Sequence, residues 1–268
     1  FTNKAANEIK ERVKIELKSD IDTPWIGTFH SIFAKFLRKH SGLVKLKSNF
    51  TILDIDDQKK LLKQVLEFCK INNDTSEGIY HNEIQNLKDN KIIFNENKKI
   101  SKFSSLERLD EIYSYYQQRL IEINAVDFGD ILLHSYNILS NNLDIQKSYK
   151  NFIEHILIDE FQDTNLIQYD LIKLILNHEK NLFCVGDDDQ SIYAWRGANI
   201  ENIINFPNEF NCPVVRLTKN YRSNSSILEA AASIISNNKN RLGKDLVSFN
   251  KKIPKQKINL NSFYSQEE

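Results

Sequence analysis

The hydrophobic pattern of this chain predicts an α/β fold, a parallel sheet with a helical insertion, and three observations carry that reading. Two short apolar runs, residues 156–158 and 182–185, each break abruptly into acidic or glycine-bearing segments, as strands of an open sheet do where they reach a ligand crevice. Between them Ile167, Leu171, Leu174 and Ile175 recur at helical spacing, and a third apolar run at 214–217 resumes the strand and helix alternation of a parallel sheet. Residues 51–125 break that rhythm and show helical spacing throughout.

The elements follow in order. Ala6, Ile9, Val13 and Leu17 lie on one helical face after Thr2 and Asn3, either of which can cap a helix start. Pro24-Trp25-Ile26-Gly27-Thr28 reads as a strand, and Ser31, Phe33, Phe36 and Leu37 as the helix after it. Within the insertion, Asp56 is placed to cap a helix carrying Leu61, Leu62, Val65, Leu66 and Cys69. Ser104-x-x-Glu107 forms a capping box ahead of Leu109, Ile112, Tyr116 and Leu120.

Composition narrows the class of protein without naming a function. With 41% hydrophobic and 27% charged residues, 268 residues suffice for one large or two modest soluble domains. The formal net charge is zero, so any affinity for nucleic acid must rest on local groups. Cys69, Cys184 and Cys212 are odd in number and lack C-x-x-C spacing, which argues against a disulfide framework or a zinc site and for a reducing cytoplasm. No apolar run approaches the ~20 residues that span a bilayer, so no membrane role is expected. Lys239, Arg241, Lys244, Lys251, Lys252, Lys255 and Lys257 make the tail basic, which reads as a solvated charge run or as an extension of a nucleic-acid footprint.

Chemistry concentrates in Ile156-Leu157-Ile158-Asp159-Glu160-Phe161-Gln162-Asp163-Thr164-Asn165. At the carboxyl end of a parallel strand, Asp159 and Glu160 project into the crevice where ligands gather. One carboxylate there suits Mg²⁺ beside phosphates, and its neighbour suits the orientation or deprotonation of a water aimed at the terminal phosphate. The second strand runs into Gly186-Asp187-Asp188-Asp189-Gln190-Ser191-Ile192-Tyr193-Ala194-Trp195-Arg196-Gly197-Ala198, which sets an amide and two aromatics beside that crevice. Flat π-faces in a polar segment suit the stacking of bases.

Together these two segments resemble motifs II and III of superfamily 1 helicases of the UvrD/Rep/PcrA family. Other pieces fall in that family's order. Phe1-Thr2-Asn3-Lys4-Ala5-Ala6 resembles motif Ia, Gly27-Thr28-Phe29-His30-Ser31 the next DNA-contacting motif, and Val126-Asp127-Phe128-Gly129-Asp130-Ile131-Leu132 the motif preceding the Asp-Glu strand. Asn220-Tyr221-Arg222-Ser223 resembles motif IV. The resemblance implies a RecA-like P-loop NTPase sheet. It places the first motor domain at 1–50 and 126–219, a helical insertion domain at 51–125, and the start of the second motor domain at 220–268.

By the same resemblance Asp159 is the Mg²⁺ ligand, Glu160 the catalytic base, Gln190 the sensor of the γ-phosphate of ATP, and Arg222 an arginine that reaches that phosphate. Phe1, Tyr193 and Trp195 would lie along the bases of single-stranded DNA, and Arg196 would couple that path to the ATP site. Thr2, Asn3, Lys4, Thr28, Phe29 and His30 would meet the DNA backbone, although a packing role at a strand end fits the last three nearly as well. Asp127 and Asp130 read as structural or DNA-proximal residues without a chemical role. Ala194 stands where the family often has a larger, basic residue.

The family's phosphate cradle, G-x-x-x-x-G-K-[ST], does not occur in these residues. The only Gly-Lys pair, Gly243-Lys244, is followed by Asp245 and has Asn238 where the first glycine belongs. The chain therefore reads as an internal part of a larger 3′ to 5′ helicase acting on single-stranded DNA and single/double-strand junctions, in repair or recombination, without the cradle and motifs V and VI. Two alternatives stay open. One is a module that binds single-stranded DNA without hydrolysing ATP; the other is a metal-dependent nuclease using Asp159, Glu160, Asp163 and Asp187, against which motif III counts.

Overall fold

A computed structural model describes residues 3–19, 25–71, 77–92, 106, 108–177, 181–239, 241–249 and 257–262, with the backbone alone at Asn181 and Arg196. Phe1, Thr2, Pro24 and the capping box of Ser104 and Glu107 lie outside the described residues.

Helix α1 (Asn3–Leu17) is followed by α2 (Phe29–His40). Of the strand expected over 24–28, the described part, Trp25–Thr28, is turn, bend and irregular backbone: Thr28 caps α2, and among the described residues no strand pairs with this run. A two-residue strand β1 (Thr51–Ile52) precedes α3 (Ile55–Phe68), α4 (Glu77–Asp89) and α5 (Leu109–Glu122), and β2 (Ala125–Val126) pairs back in parallel with β1. The insertion is thus helical between two short strands that tie its ends together. Asp54, and not Asp56, caps α3: it has the extended backbone of a cap, and its carboxylate accepts the Asp57 amide at 2.9 Å.

Then come α6 (Phe128–Asn141), α7 (Leu143–Phe152), β3 (His155–Ile158), α8 (Leu166–Ile175) and β4 (Asn181–Cys184). Strand β4 lies parallel to β3 with His155 opposite Asn181 and Ile158 opposite Cys184, so α8 is the crossover of a β-α-β unit. Asn165 starts α8 through a reciprocal capping box with Gln168. After α9 (Glu201–Glu209), β5 (Lys219–Asn220) is joined by α10 (Ser225–Ile235) to β6 (Val247–Ser248), its parallel partner.

The chain is α/β with parallel pairing, as expected, but the described strands form three separate two-stranded ladders in place of one sheet. The strand expected at 214–217 is irregular backbone. Val215 and Leu217 are 81% and 77% exposed, and among the described residues no neighbour offers this run a ladder, without which extended backbone gains no strand hydrogen bonds. One face of the β3 and β4 pair is also open, since Ile158 is buried while Leu157 and Phe183 point the other way and remain exposed.

Three apolar clusters hold the molecule. Leu62, Ile84, Ile112 and Tyr116 join α3, α4 and α5; Leu37, Leu139, Ile167 and Leu171 join α2, α6 and α8; Ile158, Phe161, Tyr169, Ile172 and Phe206 support one face of β3. Burial of each such side chain stabilises by about 1.5–3 kcal/mol. Between the first two clusters runs a buried ion-pair cluster: Lys88 Nζ of α4 lies 2.6 Å from Asp127 Oδ2 and 2.7 Å from Asp130 Oδ1, all three side chains at most 1% exposed. Asp127 also caps α6 and accepts from Gln85 Nε2 and the Tyr116 hydroxyl. Burial alone would raise the Asp127 carboxyl, but the Lys88 ammonium holds it below the ordinary range. Asp127 and Asp130 thus hold a structural ion-pair cluster, the first of the two roles expected of them.

Candidate nucleotide and nucleic-acid site

The acidic end of β3 is built by a ladder that continues beyond the strand. Val185 N donates to Ile158 O at 2.8 Å and Phe161 N to Val185 O at 2.9 Å, which brings residues 159–162 against 185–187. Glu160 turns the chain there in the left-handed region, φ 52°, a conformation costing a non-glycine residue on the order of 1 kcal/mol. Its amide donates to Asp159 Oδ1 at 3.0 Å, and both carboxylates face solvent.

Gln162, 1% exposed, joins the two loops. Its Nε2 donates to Glu160 Oε2 at 2.8 Å and its Oε1 accepts the Asp187 amide at 2.9 Å. Gly186 permits that approach, because a Cβ there would lie 2.8 Å from Gln162 Oε1 and 2.7 Å from Ile203 Cδ1. Gln190 ends the turn that Asp187 caps, and its Nε2 donates to Asp187 Oδ2 at 2.6 Å. A continuous relay therefore runs Glu160, Gln162, Asp187, Gln190, and Gln162 is the member that sequence reasoning did not single out. Only its position two residues after Glu160 hinted at it.

The carboxylates of Asp159 and Glu160 are hard oxygen donors of the kind Mg²⁺ takes, and Mg²⁺ commonly uses one or two protein carboxylates with waters and phosphate completing its shell. Asp159 spends one oxygen on the Glu160 amide, so a carboxylate of this accessibility fits the ion. Asp163 and Asp187 do not add to it as a multi-carboxylate cage: among the described residues no three His, Cys, Asp or Glu side chains are grouped to hold a metal.

Arg222 lies apart from this relay. It is exposed just after β5, where Asn220 Oδ1 accepts from the amides of Arg222 and Ser223 at 3.0 and 2.8 Å. No hydrogen bond or ion pair joins it to Asp159, Glu160 or Gln190 in the described residues.

Beyond Gln190, Trp195 is 74% exposed and Tyr193 half-buried, their ring centroids 6.5 Å apart. They lie at a short 3₁₀ turn, Ala194–Arg196, closed by Gly197 at φ 82°. This segment is tied to the acidic one: Asn165 bridges Ala198, and Thr164 O accepts from Asn199 N at 3.0 Å and from Asn202 Nδ2 at 3.1 Å. Asp89, at the end of α4, accepts from Asn165 Nδ2 at 2.9 Å, and burial pushes its carboxyl up to about 7.

The remaining candidates divide. Thr28 Oγ1 caps α2 by accepting from Ser31 N at 3.2 Å, and Phe29 packs between two core clusters. His30 is half-buried edge-on to Phe128, and burial lowers its pKa, which keeps it neutral near pH 7. Asn3 and Lys4 are exposed in the first turn of α1.

The family model described as UvrD/REP helicase N-terminal domain matches residues 1–211. DNA helicase II of Haemophilus influenzae is 39% identical to this chain over 264 residues, 92% of the chain and 34% of that protein. The ATP-dependent DNA helicase PcrA of Staphylococcus aureus is 38% identical over 253 residues, with 93% and 34% covered. PcrA of Staphylococcus epidermidis is also 38% identical, with 93% and 35% covered. The chain spans about a third of the length of these relatives.

Proposed function

Because the chain belongs to the UvrD/REP helicase family, we propose that it supplies the ATP-facing and single-stranded-DNA-facing part of an ATP-dependent DNA helicase that moves 3′ to 5′ and separates strands in repair or recombination. The observation that carries this reading is the relay from Glu160 through Gln162 and Asp187 to Gln190, at the shared ends of two parallel strands, with an exposed tryptophan five residues further on. Residues 1–50 and 126–219 act as a RecA-like motor domain, 51–125 as its helical insertion, and 220–268 as the opening of a second motor domain.

In this reading Asp159 holds Mg²⁺ and Glu160 orients the attacking water. When MgATP is bound, it supplies the phosphoanhydride whose cleavage drives movement. Gln190 and Arg222 answer to the γ-phosphate from the two motor domains, and a group delivered to the phosphate from a neighbouring element is worth several orders of magnitude in rate where its action has been measured. Arg222 has to move towards the relay to do so. Tyr193 and Trp195 stack bases, while Asn3, Lys4, Thr28 and Arg196, with Phe1 and Thr2, line the strand's backbone and bases; Phe29 and His30 support them from half-buried positions. No phosphate cradle occurs in the sequence, so these 268 residues alone turn over no ATP.

The test is a chimera in which the matched segment of Staphylococcus aureus PcrA is replaced by this chain. ATP hydrolysis stimulated by single-stranded DNA is expected, with Glu160→Gln lowering its kcat by about 10²-fold or more. Unstimulated hydrolysis, or a Glu160→Gln variant of undiminished rate, would defeat the reading. A non-hydrolysing DNA-binding module keeps support only if this chimera binds DNA without turnover.

A further inference from the structure

The three consecutive acids of the loop that carries Gln190 are all engaged by one short segment on the far side of α10. Asp187 Oδ1 pairs with Lys244 Nζ. Asp188 Oδ2 accepts the Leu242 amide at 2.7 Å. Asp189 receives both Arg241 Nε, at 2.8 Å, and Arg241 Nη2, at 2.6 Å, in the parallel fork that suits a guanidinium to a carboxylate. Gly243, at φ 70° with nothing within 4 Å of where a Cβ would stand, makes the turn that lets residues on either side face the same loop. These four ionic side chains are 14–20% exposed, so solvent screens them only in part.

Two consequences follow from that geometry. Arg241 and Lys244 spend their charges on this loop, so the basic tail is not simply a solvated run at these two positions. The Asp187 carboxylate holds Lys244 on one oxygen and Gln190 on the other, which makes the aim of the Gln190 amide depend on a residue more than fifty positions away. Burial pushes the Asp187 carboxyl up, yet hydrogen bonds from Lys244 and Gln190 leave it below its ordinary value, in keeping with a firmly held anion. The Gly-Lys pair that fails as a phosphate cradle thus has a different task.

We propose that Arg241 and Lys244 are positioning residues that latch the three-aspartate loop to the segment following α10 and so set the orientation of Gln190 and of the Tyr193 and Trp195 turn beyond it. The latch concerns this chain's own geometry; its effect on DNA rests on the reading that Trp195 contacts bases. Release of the latch would free Gln190 from Asp187 at the same moment as it loosens the aromatic turn. A change in how the segment after α10 sits would then be felt at both.

Charge swaps on this chain test it, in a Trp25→Phe background so that Trp195 is the sole tryptophan. Amide hydrogen exchange across residues 187–196 and Trp195 emission are read for Arg241→Glu, Asp189→Arg and the double swap, with α6 amides as the internal control for folding. Loss of the bidentate pair is expected to speed exchange in the loop by about tenfold in each single variant. The double swap should bring both signals back to within about threefold of the parent, since only the pair is restored. A conservative Arg241→Lys, which keeps the charge and loses the fork, should fall between. Unchanged exchange in both single variants, or no recovery in the double, overturns the latch. Oligonucleotide affinity separates it from a direct DNA contact: the latch requires Asp189→Arg to weaken binding although it adds positive charge, whereas tighter binding would place Arg241 on the DNA and overturn the proposal. Should the parent bind no oligonucleotide, the proposed function fails while the exchange data still decide the latch.

Discussion

Two ion-pair clusters of the same chemistry do opposite things in this molecule. Lys88, Asp127 and Asp130 sit between α4 and α6 with no access to water, whereas Asp187, Asp189, Arg241 and Lys244 meet between two loops with about a fifth or less of each side chain exposed. A buried charge without its partner is strongly destabilising in a low-dielectric interior, so the first cluster fixes how α4 docks on α6. The second cluster keeps up to a fifth of each side chain in water, so its charges are partly screened and parting them costs less than parting a fully buried pair. Burial, and not the count of ion pairs, separates a structural joint from a working one.

The largest expected effect breaks the first cluster. Lys88→Met leaves two carboxylates facing each other in the interior and should cost about 3–5 kcal/mol in chemical denaturation. A loss below that of an exposed pair would mean water reaches the site. Replacing Lys88, Asp127 and Asp130 together by apolar residues of similar volume should be far milder than the single change.

Next comes pH. Asp89 has its carboxyl raised to about 7 by burial, with Asp127 adding to the effect. A carboxyl raised in the folded state contributes stability fully present below its unfolded value and lost as pH rises through the folded one. Stability should therefore decline between about pH 4 and pH 7 by up to ~4 kcal/mol from this group, and Asp89→Asn should flatten that decline. An Asp89→Asn profile as steep as the parent's would assign the slope elsewhere.

Removing the Asn165 cap is expected to be smaller, about 1 kcal/mol for Asn165→Ala by thermal unfolding, because it frees the first turn of α8 and the Asp89 contact while leaving the core intact. The smallest global effect belongs to the second cluster. Arg241→Glu should leave the unfolding midpoint nearly unchanged while altering local exchange in 187–196, and a large fall in the midpoint would make that cluster as structural as the first.

How much of this was legible in the sequence depends on how local each signal is. Strands β3 and β4 and the acid pair after β3 could be read because an apolar run ending in carboxylates is a local pattern, and α8 announced itself through its 3.6-residue spacing. The run at 214–217 has the same apolar character but forms no strand, since pairing depends on a neighbour that a local pattern does not reveal. Asp54 and Asp56 offer identical cap chemistry, and the extended backbone at Asp54 decides between them. Gln162 gave only the faint hint of lying two residues after Glu160, and Arg241 gave none of its pairing, because Asp187 and Asp189 lie 25 and 52 positions from them and only the folded chain brings them together.

The proposed role of the turn bearing Tyr193 and Trp195 is base stacking, with that turn tied to the acidic end of β3. It is tested most directly by titrating Trp195 fluorescence of the Trp25→Phe chain with a short single-stranded oligonucleotide at low salt, with Trp195→Ala followed by anisotropy of a labelled oligonucleotide. Saturable quenching is expected, with an affinity loss of about 1–3 kcal/mol on removing the indole. A folded chain whose Trp195 emission ignores the oligonucleotide, or an alanine variant that binds as tightly as the parent, would contradict it.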